Sequence, residues 1–141
     1  MDLSDKLDAL NQNRLYQALG IEILETSDGY AFSRLTAPPE VCWPVLNRPH
    51  GGIVFTQVDT TMATCVMSMI EESHSLSTIG VDIQYTNPAL GEFLECKAWS
   101  THRTKRMAFV RSETRSADGT LVALGQGTFR IFSQTHGVKA L

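Results

Sequence analysis

Between Gly51 and Ile70 the chain carries one formally charged side chain, Asp59, in an otherwise neutral and largely apolar run. Phe55, Met62, Val66 and Ile70 recur at helical spacing, and Val58, Cys65 and Met69 form a neighbouring stripe. A helix that is apolar around most of its circumference must be buried, so the rest of the chain has to wrap this segment. The same length could cross a bilayer. Thr56, Gln57, Asp59, Thr60, Thr61, Thr64 and Ser68 argue instead for the core of a water-soluble protein, because polarity and charge at the centre of a lipid-embedded helix are costly. Glu71, Glu72, Ser73 and His74 end the run with polar residues.

The flanking sequence supplies the wrapping. Residues 4 to 18 predict an amphipathic helix, with Ser4 as N-cap, Asp5 and Asp8 near its positive end and Gly20 as the stop. Ile21 to Glu25 and Tyr30 to Leu35 alternate apolar and polar about Asp28-Gly29, a hairpin turn signal. Thr36 to Pro49 contains four prolines and reads as a loop. Four strand-like runs follow the long helix, over residues 79–86, 92–101, 107–115 and 120–132, with Asp118-Gly119 as a second hairpin turn. Strands uninterrupted by helices pair antiparallel. The expected fold is α+β: one domain over residues 1–141, a sheet curled around one long helix, and an extra N-terminal helix within residues 1–19. The sheet needs a second layer or a partner subunit.

Composition narrows the function classes. A net charge of −3 gives no bulk attraction for nucleic acid. Charged residues make up 19%, few enough to suggest surface hidden in an oligomer. Cys42, Cys65 and Cys96 are odd in number and far apart, with no zinc-type spacing, which fits a reducing compartment. The N-terminus has acids where a secretory signal needs positive charge. The expectation is a cytoplasmic protein without a metal or other cofactor, with frayed final residues and with His74 and His136 at the surface.

Asp59 is the candidate for chemistry. Acids are rarely buried without partners, and a buried carboxyl is suited to acid–base or nucleophilic work. The competing interpretation is that its stripe reaches a polar edge, where Asp59 is merely solvated. Asn47-Arg48-Pro49-His50-Gly51-Gly52 precedes the helix as a rigid turn running into glycines, which let a substrate approach the main chain closely. The first N–H groups of a helix lack internal partners and sit at its positive end, which suits a developing oxyanion on a thioester carbonyl. Asp59 lies about two turns further on, roughly 10–12 Å. One subunit therefore cannot set both groups around one carbonyl, whereas a symmetric dimer can.

Arg48-Pro49-His50-Gly51-Gly52, with an acid nine residues after the histidine, resembles the PaaI-type acyl-CoA thioesterases of the hotdog superfamily. The resemblance extends from about residue 20 to residue 133. It implies a hotdog fold, a long central helix wrapped by a five- or six-stranded antiparallel sheet. It also implies a homodimer or dimer of dimers with sites at the dimer interface. Asp59 would be general base or nucleophile, Gly51 would offer its N–H to the thioester oxygen, and His50 would hold the loop and substrate, next to Gly52. Thr78, with Ser77 as the alternative, would position the water or the acid. Pro44 stands where many relatives have Asn or Gln, and Asn47 is the candidate substitute.

The remaining motifs divide. His102-Arg103-Thr104-Lys105-Arg106 is a basic turn, and in similar proteins this turn contacts CoA phosphates; Arg103, Lys105 and Arg106 suit that chemistry, and a solvated hairpin tip is the alternative. Arg111 and Arg115 are candidates to extend it. Trp43, Phe55 and Met62 are divided between an acyl pocket and simple packing. Cys65 reads as a packing residue. Gly125-Gln126-Gly127 follows no strand-to-helix turn, so it marks a bulge or a close backbone approach. The expected activity is hydrolysis of an aromatic, medium-chain or long-chain acyl-CoA. A hotdog hydratase or dehydratase and a non-catalytic acyl-CoA or lipid binder are the rivals.

Overall fold

The computed structural model describes residues 2–134, so His136 and the expected frayed end lie outside the described residues. In chain order it has helices α1 (Leu3–Asn11) and α2 (Arg14–Leu19), strands β1 (Ile21–Ser27) and β2 (Tyr30–Leu35), and a two-residue ribbon of β3 (Cys42–Trp43) with β4 (Arg48–Pro49). Helix α3 (Gly51–Met67) follows, then β5 (His74–Tyr85), β6 (Leu94–Arg103), β7 (Met107–Ser116) and β8 (Leu121–Ser133). Six strands form one antiparallel sheet in the order β1-β2-β6-β7-β8-β5, against which α3 packs. The α+β expectation, with a central helix and an N-terminal helical segment, is met, and the sheet has six strands.

The long helix is held by two apolar clusters. Val58, Met62, Cys65 and Val66 pack on Ala98, Val110, Phe129 and Ile131, while Val54 packs on Ile21, Leu35, Leu94 and Val122. Burying each of these larger side chains contributes about 1.5–3 kcal/mol. Gly125 and Gly127 set how closely α3 approaches. A Cβ on Gly125 would collide with Ser112 Oγ and lie 2.8 Å from Val58 Cγ1, and one on Gly127 would lie 3.0 Å from Met62 Cε. The β8 register runs unbroken through both, so they mark close approach and not a bulge. A polar seam crosses the interface: Ser33 and Thr61 hydroxyls pair at 2.7 Å, and Gln57 Nε2 donates to Ser33 Oγ and to Leu94 O.

Five features differ from the sequence expectation. The single N-terminal helix is two, because Asn11 turns its side chain to the backbone of Ile23 and Asn13 caps a new helix by accepting from Leu15 N and Tyr16 N. Its first cap is Asp2, in a capping box with Asp5, not Ser4. The Thr36–Pro49 loop contains a 3-10 turn and the β3–β4 ribbon. Helix α3 stops at Met67, where Ser68 Oγ accepts from Gly29 N and lies 2.7 Å from Ser27 O, pinning the helix end to the β1–β2 turn. Strand β5 starts at His74, five residues before Ile79, because pairing with β8 extends it through a stretch with little apolar alternation.

Candidate active site

The start of α3 is a tethered turn with one free donor. His50 is the N-cap, and its Nδ1 accepts the Gly52 N–H at 2.9 Å, which puts the proton of the neutral ring on Nε2. The His50 N–H donates to Val41 O at 3.2 Å, and the ring lies 5.1 Å from that of Trp43. Gly52 N–H is thus used within the chain. A Cβ on Gly52 would sit 3.1 Å from His50 Nδ1, so glycine keeps that cap unstrained. The Gly51 N–H has no partner among the described residues, while its carbonyl accepts the Tyr85 hydroxyl at 2.6 Å.

Asp59 stands on the same helix, about 12 Å further along by helical rise. It is half-buried rather than fully buried in the single chain, so the expectation of an enclosed acid is corrected at this level. It is not merely solvated either: Thr78 Oγ1 donates to Asp59 Oδ1 at 2.9 Å. The β5 register shifts between Thr78 and Gly80, a bulge beside the residue that reaches Asp59. Ser77, the alternative to Thr78, makes no side-chain hydrogen bond among the described residues.

The remaining candidates are spread over different places. Asn47 occupies the turn of the β3–β4 ribbon at φ 44, its N–H donating to Trp43 O. It lines a hollow with Leu35 and Cys42, separate from the one Gly51 lines. That second hollow, about 370 Å³, is bounded by Trp43, Gly51, Val54, Tyr85, Ala89 and Val122. Met62 is fully buried in the core and lines neither, whereas Phe55 is half-buried. Arg103 donates to Met69 O at the C-terminal end of α3, and Lys105 and Arg106 are exposed with no ion pair among the described residues. Arg115 does not extend this cluster, because it lies at the far end of β7 bonded to Glu113 and to Gly119 O. His74 is half-buried, its Nδ1 beside Ser73 Oγ.

Other chemistry finds little support. Burial pushes the Cys65 thiol up to about 12 and raises Cys96 as well, so both remain thiols at neutral pH and serve packing. Among the described residues no group of three or more His, Cys, Asp or Glu is placed to hold a metal ion, and no helix is long and apolar enough to cross a membrane.

Tyr85 is the contact that sequence reasoning missed. It closes an alternating run and carries no local sign of its target, 34 residues away; only the placement of β5 against the start of α3 brings the two together.

A hotdog sheet around a helix that begins His-Gly-Gly and carries an acid two turns on defines a class, and comparison with known proteins agrees. The chain belongs to the thioesterase superfamily, whose profile matches residues 47–123. Membership makes it a hydrolase of the thioesterase and esterase class. A Halobacterium salinarum protein named provisionally as an esterase is 27% identical, over 87% of each chain. Among solved structures, a thioesterase from Haemophilus influenzae superposes with a TM-score of 0.88 at 14% identity, covering 99% of this chain and 96% of its own. The Escherichia coli PaaI protein from the phenylacetic acid degradation operon superposes with a TM-score of 0.81 at 24% identity, covering 95% and 99%. These likenesses in structure establish the fold.

Proposed function

We propose that the protein hydrolyses acyl-CoA thioesters as a homodimer, each site combining Asp59 of one subunit with the Gly51 N–H of the other. The observation that carries this is the single free donor at the start of α3, with the Thr78-held carboxylate of Asp59 too far along the same helix to share its carbonyl. An antiparallel apposition of two copies of α3 brings Gly51 of one against Asp59 of the other and makes two equivalent sites.

In this mechanism the thioester oxygen accepts the Gly51 N–H, strengthened by the helix dipole. Asp59 takes a proton from water as the water attacks the carbonyl carbon, and collapse of the tetrahedral intermediate expels the CoA thiolate. Thr78 occupies Oδ1 and leaves Oδ2 for the water. Direct attack by Oδ2 to give an anhydride uses the same geometry; entry of label into Asp59 during a single turnover in labelled water would establish the anhydride, by water attack at the Asp59 carboxyl carbon. His50 keeps the Gly51 peptide in line through its bond to Gly52. No cofactor is required.

Lys105 and Arg106 are the phosphate ligands in this scheme, with Arg103 bridging to the end of α3. The same antiparallel apposition carries this basic turn toward the partner's Gly51, on the side from which the CoA arm enters. The hollow beside Gly51, lined by Trp43, Tyr85 and Val54, supports an aromatic or medium-chain acyl group. The PaaI protein's place in a phenylacetic acid degradation operon makes phenylacetyl-CoA the first substrate to try.

Free-thiol release from phenylacetyl-, benzoyl-, hexanoyl-, decanoyl- and palmitoyl-CoA tests the assignment. Asp59→Ala should lower kcat at least about 10³-fold while the fold is retained, the scale of losing a group that acts in the chemical step. Activity within a few-fold of wild type would remove Asp59 from the mechanism. Turnover of an enoyl-CoA without thiol release would redirect the assignment to hydration.

A further inference from the structure

We propose that Tyr85 is a positioning residue for the oxyanion donor: its hydroxyl, bonded to the Gly51 carbonyl, locks the peptide unit whose neighbouring N–H meets the thioester oxygen. This rests on the assignment of Gly51 as that donor.

Gly51 and Gly52 are the two most conformationally free residues a helix could begin with. A donor that must sit about 2.7–3.1 Å from a developing charge, held there to about half an ångström, cannot be left on such a segment unrestrained. The peptide unit that carries the donor is held through the His50 carbonyl, which accepts the Ile53 N–H at 2.9 Å and the Val54 N–H at 3.3 Å, and three further bonds fix its flanks. The His50 N–H is tied to Val41 O, the Gly52 N–H to His50 Nδ1, and the Gly51 carbonyl to Tyr85 at 2.6 Å. The Gly51 N–H alone is left over, between fixed neighbours. A carbonyl has two lone pairs, so the phenol adds to the helical use of this oxygen without competing with it. The ring also packs on the glycine, since a Cβ there would lie 3.5 Å from Tyr85 Cζ. Burial raises the Tyr85 phenol above its ordinary value, so it stays a donor throughout the range in which a thioesterase is assayed.

Strand β5 therefore touches α3 at two functional points, Thr78 on Asp59 and Tyr85 on Gly51. In the dimer these two points belong to different sites. One strand thus holds the acid of one site and the oxyanion donor of the other, and Tyr85 serves the second.

Tyr85→Phe removes only the hydroxyl and keeps the ring against Gly51, so folding is not at stake; circular dichroism and sedimentation confirm that fold and assembly match wild type. We expect kcat to fall about tenfold with KM within twofold, the scale of a misaligned rather than a missing group. We also expect the ¹⁵N order parameter of the Gly51 amide to drop. A purely packing role predicts neither change. The proposal is overturned if kcat stays within twofold, or if the Gly51 amide is as rigid in the variant as in wild type. Should wild type release no thiol from any acyl-CoA, the hydrolase assignment fails on its own, and the order parameter still decides whether Tyr85 locks Gly51.

Discussion

The two edges of the sheet are finished in opposite ways. Strand β1 is seven residues long, and its register breaks between Ile23 and Glu25. At that break Asn11 takes both main-chain groups of Ile23, donating to its carbonyl at 2.9 Å and accepting its N–H at 2.8 Å. Helices α1 and α2 lie against the same strand. Strand β5 is twelve residues long and pairs with β8 alone. Thr86 N donates to Val122 O, and the alternation of an antiparallel ladder then points the N–H and C=O of Val81, Ile83 and Tyr85 away from β8. A bulge and covering helices are how proteins blunt an edge, and an uncovered long strand invites pairing. The chain closes the edge that carries no chemistry and leaves open the one that carries Thr78 and Tyr85. In the proposed homodimer, the open edge is where a second copy would complete the site.

Among changes to the two edges, breaking the open one should have the largest effect. Val81→Pro removes an N–H that faces away from β8, so the ladder within the chain survives. In sedimentation velocity the variant should run as a folded monomer, and thiol release should fall about 10²-fold or more, as expected when a site loses its oxyanion donor. A dimer with ordinary activity would move the interface elsewhere. A monomer that still turns over would mean the site is complete in one chain.

Thr78→Ala separates the chemistry of β5 from its assembly role. The variant should remain a dimer and lose about tenfold in kcat, because Asp59 keeps its place on α3 but loses the hydroxyl that orients it. Thr78→Ser should recover most of the loss. An unchanged kcat would assign Thr78 to packing alone.

What was legible in the sequence follows the same division between local and distant. His50 caps α3 and Gly51 and Asp59 lie in it, so one local stretch, a turn into glycines followed by an apolar run with a single acid, marked all three as candidates. The order of strands was legible because each carries its own alternation and its own turn signals. Thr78 was placed only through resemblance, and its contact with Asp59 depends on a bulge that nothing in Ser75-Leu76-Ser77-Thr78 announces. Tyr85 and the early start of β5 depend on registers between segments far apart in the chain. The split of the first helix was hidden for a related reason: Asn11 has ordinary helical surroundings, and its commitment to Ile23 exists only once β1 is in place. Periodicity reports which face of an element is buried, but not what its polar side chains will reach across the fold.

Disturbing the closed edge should have the smallest effect on function and a measurable one on stability. Asn11→Ala leaves the N–H and C=O of Ile23 without their side-chain partners at a bulge that β2 cannot serve. Two net hydrogen bonds at a part-buried site are worth about 1–2 kcal/mol, less whatever entering water restores. Urea unfolding should show a lower midpoint with an unchanged slope. Thiol release should stay within twofold, because among the described residues the side-chain bonds to Asp59 and Gly51 come from Thr78 and Tyr85 on β5, not from β1. The uncovered β1 edge should also favour slow association at high concentration, visible as species larger than the wild-type assembly. A fall in kcat at full stability would show that the two edges communicate through the sheet, and would turn the division between a closing edge and a working edge into a coupling between them.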